Sequence, residues 1–211
     1  MKELITINNK VNAEIVEKKS KFIANLYYIE NEEEASNILN NIKKEHFNAR
    51  HNTYAYRILE ENSVIERSSD DGEPSGTAGA PMLNILKKNN LVNVLIVVTR
   101  YFGGILLGTG GLVKAYSDSL KKVLEDAEIM LIDSGYEVEV ELAYTELDRA
   151  KYYFVNSGIV IVGEEYGEIV KLILNVPKEN IGLLDEFCKK NENVFEEKII
   201  KNKLIKTTKA R

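Results

Sequence analysis

The stretch Asn93–Tyr116, NVLIVVTRYFGGILLGTGGLVKAY, decides the fold. Its first seven residues are almost wholly apolar and β-branched, which predicts a strand buried on both faces and hence the central strand of a sheet. Five glycines between Gly103 and Gly111 then interrupt regular structure. Beyond them an amphipathic helix carries Leu112, Tyr116, Leu120, Val123, Leu124 and Ala127 on one face.

Upstream, DDGEPSGTAGAP (Asp70–Pro81) holds three glycines and two prolines. Neither helix nor strand is expected to run through it, and Pro81 is expected to begin a short helix from Met82 to Lys88. Before it, β-branched and aromatic clusters predict strands at Leu4–Ile7, around Ala13–Glu17 and at Phe22–Ile29. Ala35, Ile38, Leu39 and Ile42 recur at helical spacing after Glu32, with acids in the first turn and Lys43-Lys44 in the last. Tyr54–Leu59 and Val64–Arg67 read as a hairpin across Glu60-Glu61-Asn62.

Downstream, glycine becomes sparse and Tyr136–Leu142 (YEVEVEL) alternates. A boundary is therefore placed with Asp133-Ser134-Gly135 as connector, giving domains 1–132 and 136–211. The second reads strand (136–143), helix (146–156), strand (159–164), strand (168–176), helix (178–190) and strand (194–205). That order, βαββαβ, is ferredoxin-like, and the fold class is α+β.

The bulk numbers remove several functions. With 211 residues, 44% apolar and 29% charged, the chain is globular and has no run of ~20 apolar residues that could cross a bilayer. Met1–Ile5 turns polar at Asn8-Asn9-Lys10 without a signal-like apolar segment, so a cytoplasmic protein is expected. A lone Cys188, expected to be buried, excludes an internal disulfide and a cysteine zinc cluster, and two histidines exclude a His-rich metal site. The net charge of −5 argues against broad, non-specific nucleic-acid binding and leaves room for a local basic patch. Lys198, Lys201, Lys203, Lys206, Lys209 and Arg211 form one candidate edge, equally accounted for as a solvated strand and tail.

Eight of the thirteen glycines lie between Gly72 and Gly111. Two tight turns packed together would require them, and so would a backbone that approaches a ligand. At the helix start, the amides of Thr109–Val113 with Lys114 in the first turn could hold an anion. It is not an ATPase loop, because Thr109-Gly110 stands where Lys-Ser/Thr is required, and no G-x-G-x-x-G follows. Asp70, Asp71 and Glu73 could hold Mg²⁺, or serve only as turn formers. Arg50-His51 and Arg100 are their nearest candidate partners, His51 as a possible acid or base. The preferred reading pairs Arg100 with Asp70, Asp71 or Glu73 and so locks the loop to the sheet.

At KKSKF (Lys18–Phe22), Ala49-Arg50-His51, SDDGEPSGTAG (Ser69–Gly79) and VTRYFGGILLGTGGLVKAY (Val98–Tyr116) the chain resembles the Impact/YigZ family, over essentially its full length. The resemblance implies an N-terminal Impact domain with the fold of domain two of ribosomal protein S-five, followed by a ferredoxin-like domain. That pair is similar to the fourth and fifth domains of the translocating elongation factor, which implies a ribosome, RNA or translation-associated protein as partner. Eukaryotic relatives restrain a stress kinase of translation initiation, a pathway that is not carried over. The family supplies no catalytic residues, and no cofactor is expected. The expected function is a non-enzymatic binding or regulatory protein of translation, the alternative a Mg²⁺-dependent enzyme acting on a phosphorylated or anionic small molecule. The candidate binding set is Arg50, His51, Asp70, Asp71, Glu73, Thr77, Arg100, Gly103, Gly104, Gly108, Gly110, Gly111 and Lys114.

Overall fold

A computed structural model of the chain describes residues 3–60, 63–190 and 195–207. The chain divides into two compact units, Met1–Ile129 and Met130–Arg211.

The first unit runs β1 (Ile5–Ile7), β2 (Val11–Glu17), β3 (Ser20–Tyr28), α1 (Glu32–Glu45), β4 (His51–Leu59), β5 (Val64–Ser69), α2 (Gly79–Lys88), β6 (Val94–Tyr101) and α3 (Gly108–Glu125). The stretch quoted at the outset holds β6, the glycine segment and the first half of α3. Five strands form an antiparallel sheet in the order β2-β3-β6-β4-β5, so β6 is central. Its period-two alternation sends Val94, Ile96 and Val98 to one face and Leu95 and Val97 to the other, all fully buried. Ala35 and Ile42 of α1 pack on the second group, which Tyr56 and Ile58 of β4 flank within the sheet. The first group packs with Met82 and Leu86 of α2 and Tyr116 and Leu120 of α3. Helices on both faces explain why β6 lacks the polar half of an amphipathic strand.

Local chemistry sets the element ends. Asn31 caps α1, its Oδ1 accepting from the Glu34 amide at 2.9 Å, while Glu34 Oε2 accepts from the Glu30 amide at 2.9 Å. The two-residue loop joining β2 and β3 is Lys18-Lys19, with φ of 44° and 64°. A tight hairpin needs positive φ at both positions, which normally favours Asn-Gly.

Some expectations shift. The helix expected from Met82 begins earlier: α2 starts at Gly79. Pro81 sits inside its first turn, where a missing N–H costs nothing. Glu61 and Asn62 of the expected hairpin turn lie outside the described residues.

The second unit contains β7 (Ile129–Leu142), α4 (Leu147–Asn156), β8 (Val160–Tyr166), β9 (Val170–Pro177), α5 (Ile181–Lys189) and β10 (Phe195–Thr207). Within this unit β10 pairs with β7, β7 with β9 and β9 with β8, each antiparallel, which completes the βαββαβ arrangement read from the sequence. Val138 and Val140 face a core with Leu172, Leu174, Phe154, Leu184, Phe187 and the buried Cys188. The intervening Glu139 and Glu141 pair with Lys171 at 3.4 and 2.6 Å. The expected connector Asp133-Ser134-Gly135 is instead part of β7. Gly135 is there for packing: a Cβ would collide with Ile205 of β10 and the Val176 carbonyl of β9. Lys198, Lys201, Lys203 and Lys206 fall on β10, while Lys209 and Arg211 lie outside the described residues. Among the described residues no helix is long and apolar enough to cross a membrane.

Candidate functional site

Strand register builds the site at one end of the first unit's sheet. Arg100 lies opposite Phe22 of β3 and opposite His51 of β4. By alternation it follows Val94, Ile96 and Val98 onto the face covered by α2 and α3. The guanidinium carbon stands 5.4 Å from the Phe22 ring centroid and 5.7 Å from that of Phe102. Nη1 donates to Glu73 Oε1 at 2.7 Å, and the Tyr116 hydroxyl donates to the same oxygen at 2.6 Å. The Arg100 and Glu73 side chains are only 7% and 3% exposed. The acid that pairs with Arg100 is thus Glu73, and the pair locks the loop to the central strand.

Tyr116 also sets its ring edge-on against Phe22, centroids 5.2 Å apart. Burial and the neighbouring Glu73 carboxylate push its phenol far above the usual tyrosine range, so it acts as a neutral donor. Ser20 Oγ accepts from the Gly103 amide at 3.2 Å and from Arg100 Nη2 at 3.4 Å. Neither Tyr116 nor Ser20 belonged to the candidate set. Tyr116 read as an ordinary core residue of α3, and the signal available for both was their place in the resembling stretches.

The other two acids hold the loop together. Asp70–Glu73 is a turn, the Glu73 amide bonding to Asp70 O at 2.9 Å. Asp71 and Gly72 have φ of 41° and 86°, positive at both central positions. Asp70 Oδ1 accepts from the Ala78 and Gly79 amides, both at 2.9 Å, and Oδ2 accepts from Gly76 at 2.7 Å. It therefore caps α2 from eight residues upstream of its N-cap Ala78. Burial works to raise its carboxyl pKa, but these amide donors prevail and hold it below the usual value. Asp71 Oδ2 accepts from the Asn52 amide at 2.6 Å, and its Oδ1 lies 3.6 Å from Lys43 Nζ. His51 Nδ1 donates to the Asp71 carbonyl at 2.8 Å. Thr77 is buried, its hydroxyl donating to Pro74 O at 2.6 Å. The three acids thus diverge to separate partners, and among the described residues no three metal-ligating side chains gather.

The glycines divide between the two roles that sequence left open. A Cβ at Gly103 would overlap the Lys19 backbone, and one at Gly79 would lie 2.8 Å from the Ser69 amide nitrogen, so these serve close packing. Gly76, Gly104, Gly108 and Gly110 face open space, the first three at positive φ. Gly111 meets Leu107 Cβ at 2.9 Å.

A cavity of about 420 Å³ opens between the loop, the end of β6 and the start of α3. Of the candidate set, Arg50, His51, Glu73, Arg100 and Gly108 line it, joined by Gly72, Pro74, Phe102, Leu106, Leu107, Thr109 and Leu112. Asp70, Asp71, Thr77, Gly103, Gly104, Gly110, Gly111 and Lys114 do not. Because α3 begins at Gly108, Lys114 falls in its second turn rather than its first, and it pairs with Asp118 at 2.8 Å. Two of the lining side chains are exposed apolar groups, Phe102 at 46% and Leu106 at 81%, and Ile105, between them in the chain, is 43% exposed. None of these three belonged to the candidate set, because exposure of an apolar side chain leaves no mark in the sequence.

The Impact N-terminal domain family matches residues 18–124, and a domain of unknown function, DUF1949, matches residues 140–190. The IMPACT family member YvyE of Bacillus subtilis is 38% identical over 86% of this chain and 83% of its own length. The IMPACT family member YigZ of Escherichia coli is 34% identical over 78% and 81%. A solved crystal structure described as a hypothetical protein covers 95% of this chain and 98% of its own, at 29% identity and a TM-score of 0.61.

Proposed function

The chain belongs to the Impact family, and on that premise we propose that it is a binding or regulatory protein of translation, meeting a ribosomal, RNA or protein partner through the first unit. One observation carries this reading. The charged groups best suited to chemistry, Asp70, Asp71, Glu73 and Arg100, are engaged in internal bonds, whereas the groups left open are Arg50 and the apolar Phe102, Ile105 and Leu106. An arginine with exposed aromatic and aliphatic side chains is the composition of a docking surface. The divergence of the three acids counts against the alternative, an Mg²⁺-dependent enzyme, because a hard cation needs their oxygens to converge.

Co-sedimentation with ribosomes and retention on RNA test the reading. Association should be present at low salt and fall as salt rises, since phosphate contacts release counterions. Absence from ribosomal fractions and from RNA at every salt concentration would remove it. Mg²⁺-dependent turnover of a phosphate ester, abolished in Asp71→Asn, would install the enzyme in its place.

A further inference from the structure

Helix α3 opens at Gly108 with no side-chain cap and no acid in its first turn, so its positive end carries no built-in counter-charge. That is common enough to mean little alone. Arg100 supplies an independent observation: it is 6% exposed, it lines the cavity at this helix end, and its buried Nε has no hydrogen-bond partner among the described residues. Buried donors are rarely left without an acceptor. Arg50, exposed on the same cavity, has no ion-pair partner among the described residues. The one carboxylate in the lining, Glu73, is already met by Arg100 and Tyr116. The cavity is therefore net positive through Arg50.

His51 and Thr109 are the other polar side chains of the lining; Pro74, Phe102, Leu106, Leu107 and Leu112 make the rest apolar, with the Phe102 ring half open to solvent. A volume of about 420 Å³ lies in the range of small-molecule sites and exceeds what an inorganic ion fills. Positive charge, the start of a helix and an exposed aromatic ring in the lining of one cavity match a phosphate joined to a flat base.

We propose that this cavity binds a nucleoside monophosphate unit, its phosphate at Arg50 and the first turn of α3 and its base against Phe102. The proposal rests on the reading that this face of the first unit is the binding surface, and names what is recognised there. The unit is supplied either as a free nucleotide or as the phosphorylated end of an RNA.

Calorimetric titration of the full chain with 5′-AMP and 5′-UMP tests it, with adenosine and inorganic phosphate as fragments. The monophosphates should bind at one site, each fragment about tenfold or more weaker. Thr109 is exposed, lines the cavity and occupies the second position of α3, where an acid suits a helix start. Thr109→Glu should fold and weaken binding about tenfold or more by like-charge repulsion, with Thr109→Gln nearly unchanged. Arg50→Ala should weaken it about tenfold. No saturable binding of either monophosphate at millimolar concentration, equal binding of adenosine, or indifference to Thr109→Glu would each overturn the proposal.

Short RNAs with a 5′-monophosphate or a 5′-hydroxyl separate the sources. Tighter binding of the phosphorylated end than of free nucleotide assigns RNA, and the reverse assigns the nucleotide. Equal binding of both RNA ends, unaffected by Thr109→Glu, overturns the site. Ribosome association that persists while the titrations fail would sink this proposal and leave the translation reading standing. Nucleotide binding without ribosome or RNA association would do the opposite.

Discussion

Replacing Glu73 by Gln removes the charge that faces Arg100 while keeping an acceptor for Tyr116. Both partners are almost fully buried, at 3% and 7% exposure, so the arginine charge would remain in the interior without its counter-ion. Breaking a buried pair in this way costs about 3–5 kcal/mol. Arg100→Met should cost a similar amount, leaving Glu73 with the Tyr116 hydroxyl alone. The double variant removes both charges, and the apolar surroundings, Phe22 among them, accept methionine. It should therefore lose about 2 kcal/mol or less, far below the sum of the singles. Domains of this size have only about 5–15 kcal/mol of stability, so either single change is large. With a urea slope of about 2 kcal/mol/M, the midpoint should fall by about 1.5–2.5 M. Amide exchange at β6 would assign the loss to the first unit. Single variants within about 1 kcal/mol of the parent, or a double equal to the sum of the singles, would refute the account of a desolvated pair.

Three further outcomes follow from the same geometry. Asp70→Asn should destabilise by about 1–2 kcal/mol at neutral pH, the usual weight of a helix cap. The Asp70 carboxyl pKa is depressed in the fold, so its contribution is present above the unfolded value of 3.8 and is lost as pH falls through the folded one. Urea melts of parent and variant should converge at acid pH, and a gap that stays constant there would contradict the amide clamp. Gly103→Ala should cost about 2–3 kcal/mol because its Cβ overlaps the Lys19 backbone, whereas Gly104→Ala, strained at φ +85° but in open space, should cost about 1. Equal melting shifts would show that packing does not distinguish them. Lys18→Asn with Lys19→Gly should raise stability by about 1–2 kcal/mol by relieving two positive-φ lysines, read by thermal melting. If this hairpin tip contacts phosphate, the same variant should also bind RNA or ribosomes more weakly.

Local patterns carried most of the fold. The unbroken apolar run Val94–Val98 announced a central strand buried on both faces, YEVEVEL an alternating strand, and Asp71-Gly72 a turn. These depend on a residue and its near neighbours, so one chain of letters contains them. The expected connector at Asp133–Gly135 failed because a glycine demanded by tight packing against Ile205 and Val176 looks the same in sequence as one that loosens the chain.

The site was legible only as a neighbourhood. Sequence brought Arg50, His51, Glu73 and Arg100 into one candidate set, and left open which of three adjacent acids would meet the arginine. The choice of Glu73, the arrival of the Tyr116 hydroxyl on the same oxygen and the turning of Asp70 toward the α2 amides depend on strand register and helix packing. Contacts between residues tens of positions apart leave no periodic trace along the chain. The sequence by itself determined the elements, the turn chemistry and the family; the tertiary structure alone decided which charges are sealed and which stay open, because burial is a property of what lies across space.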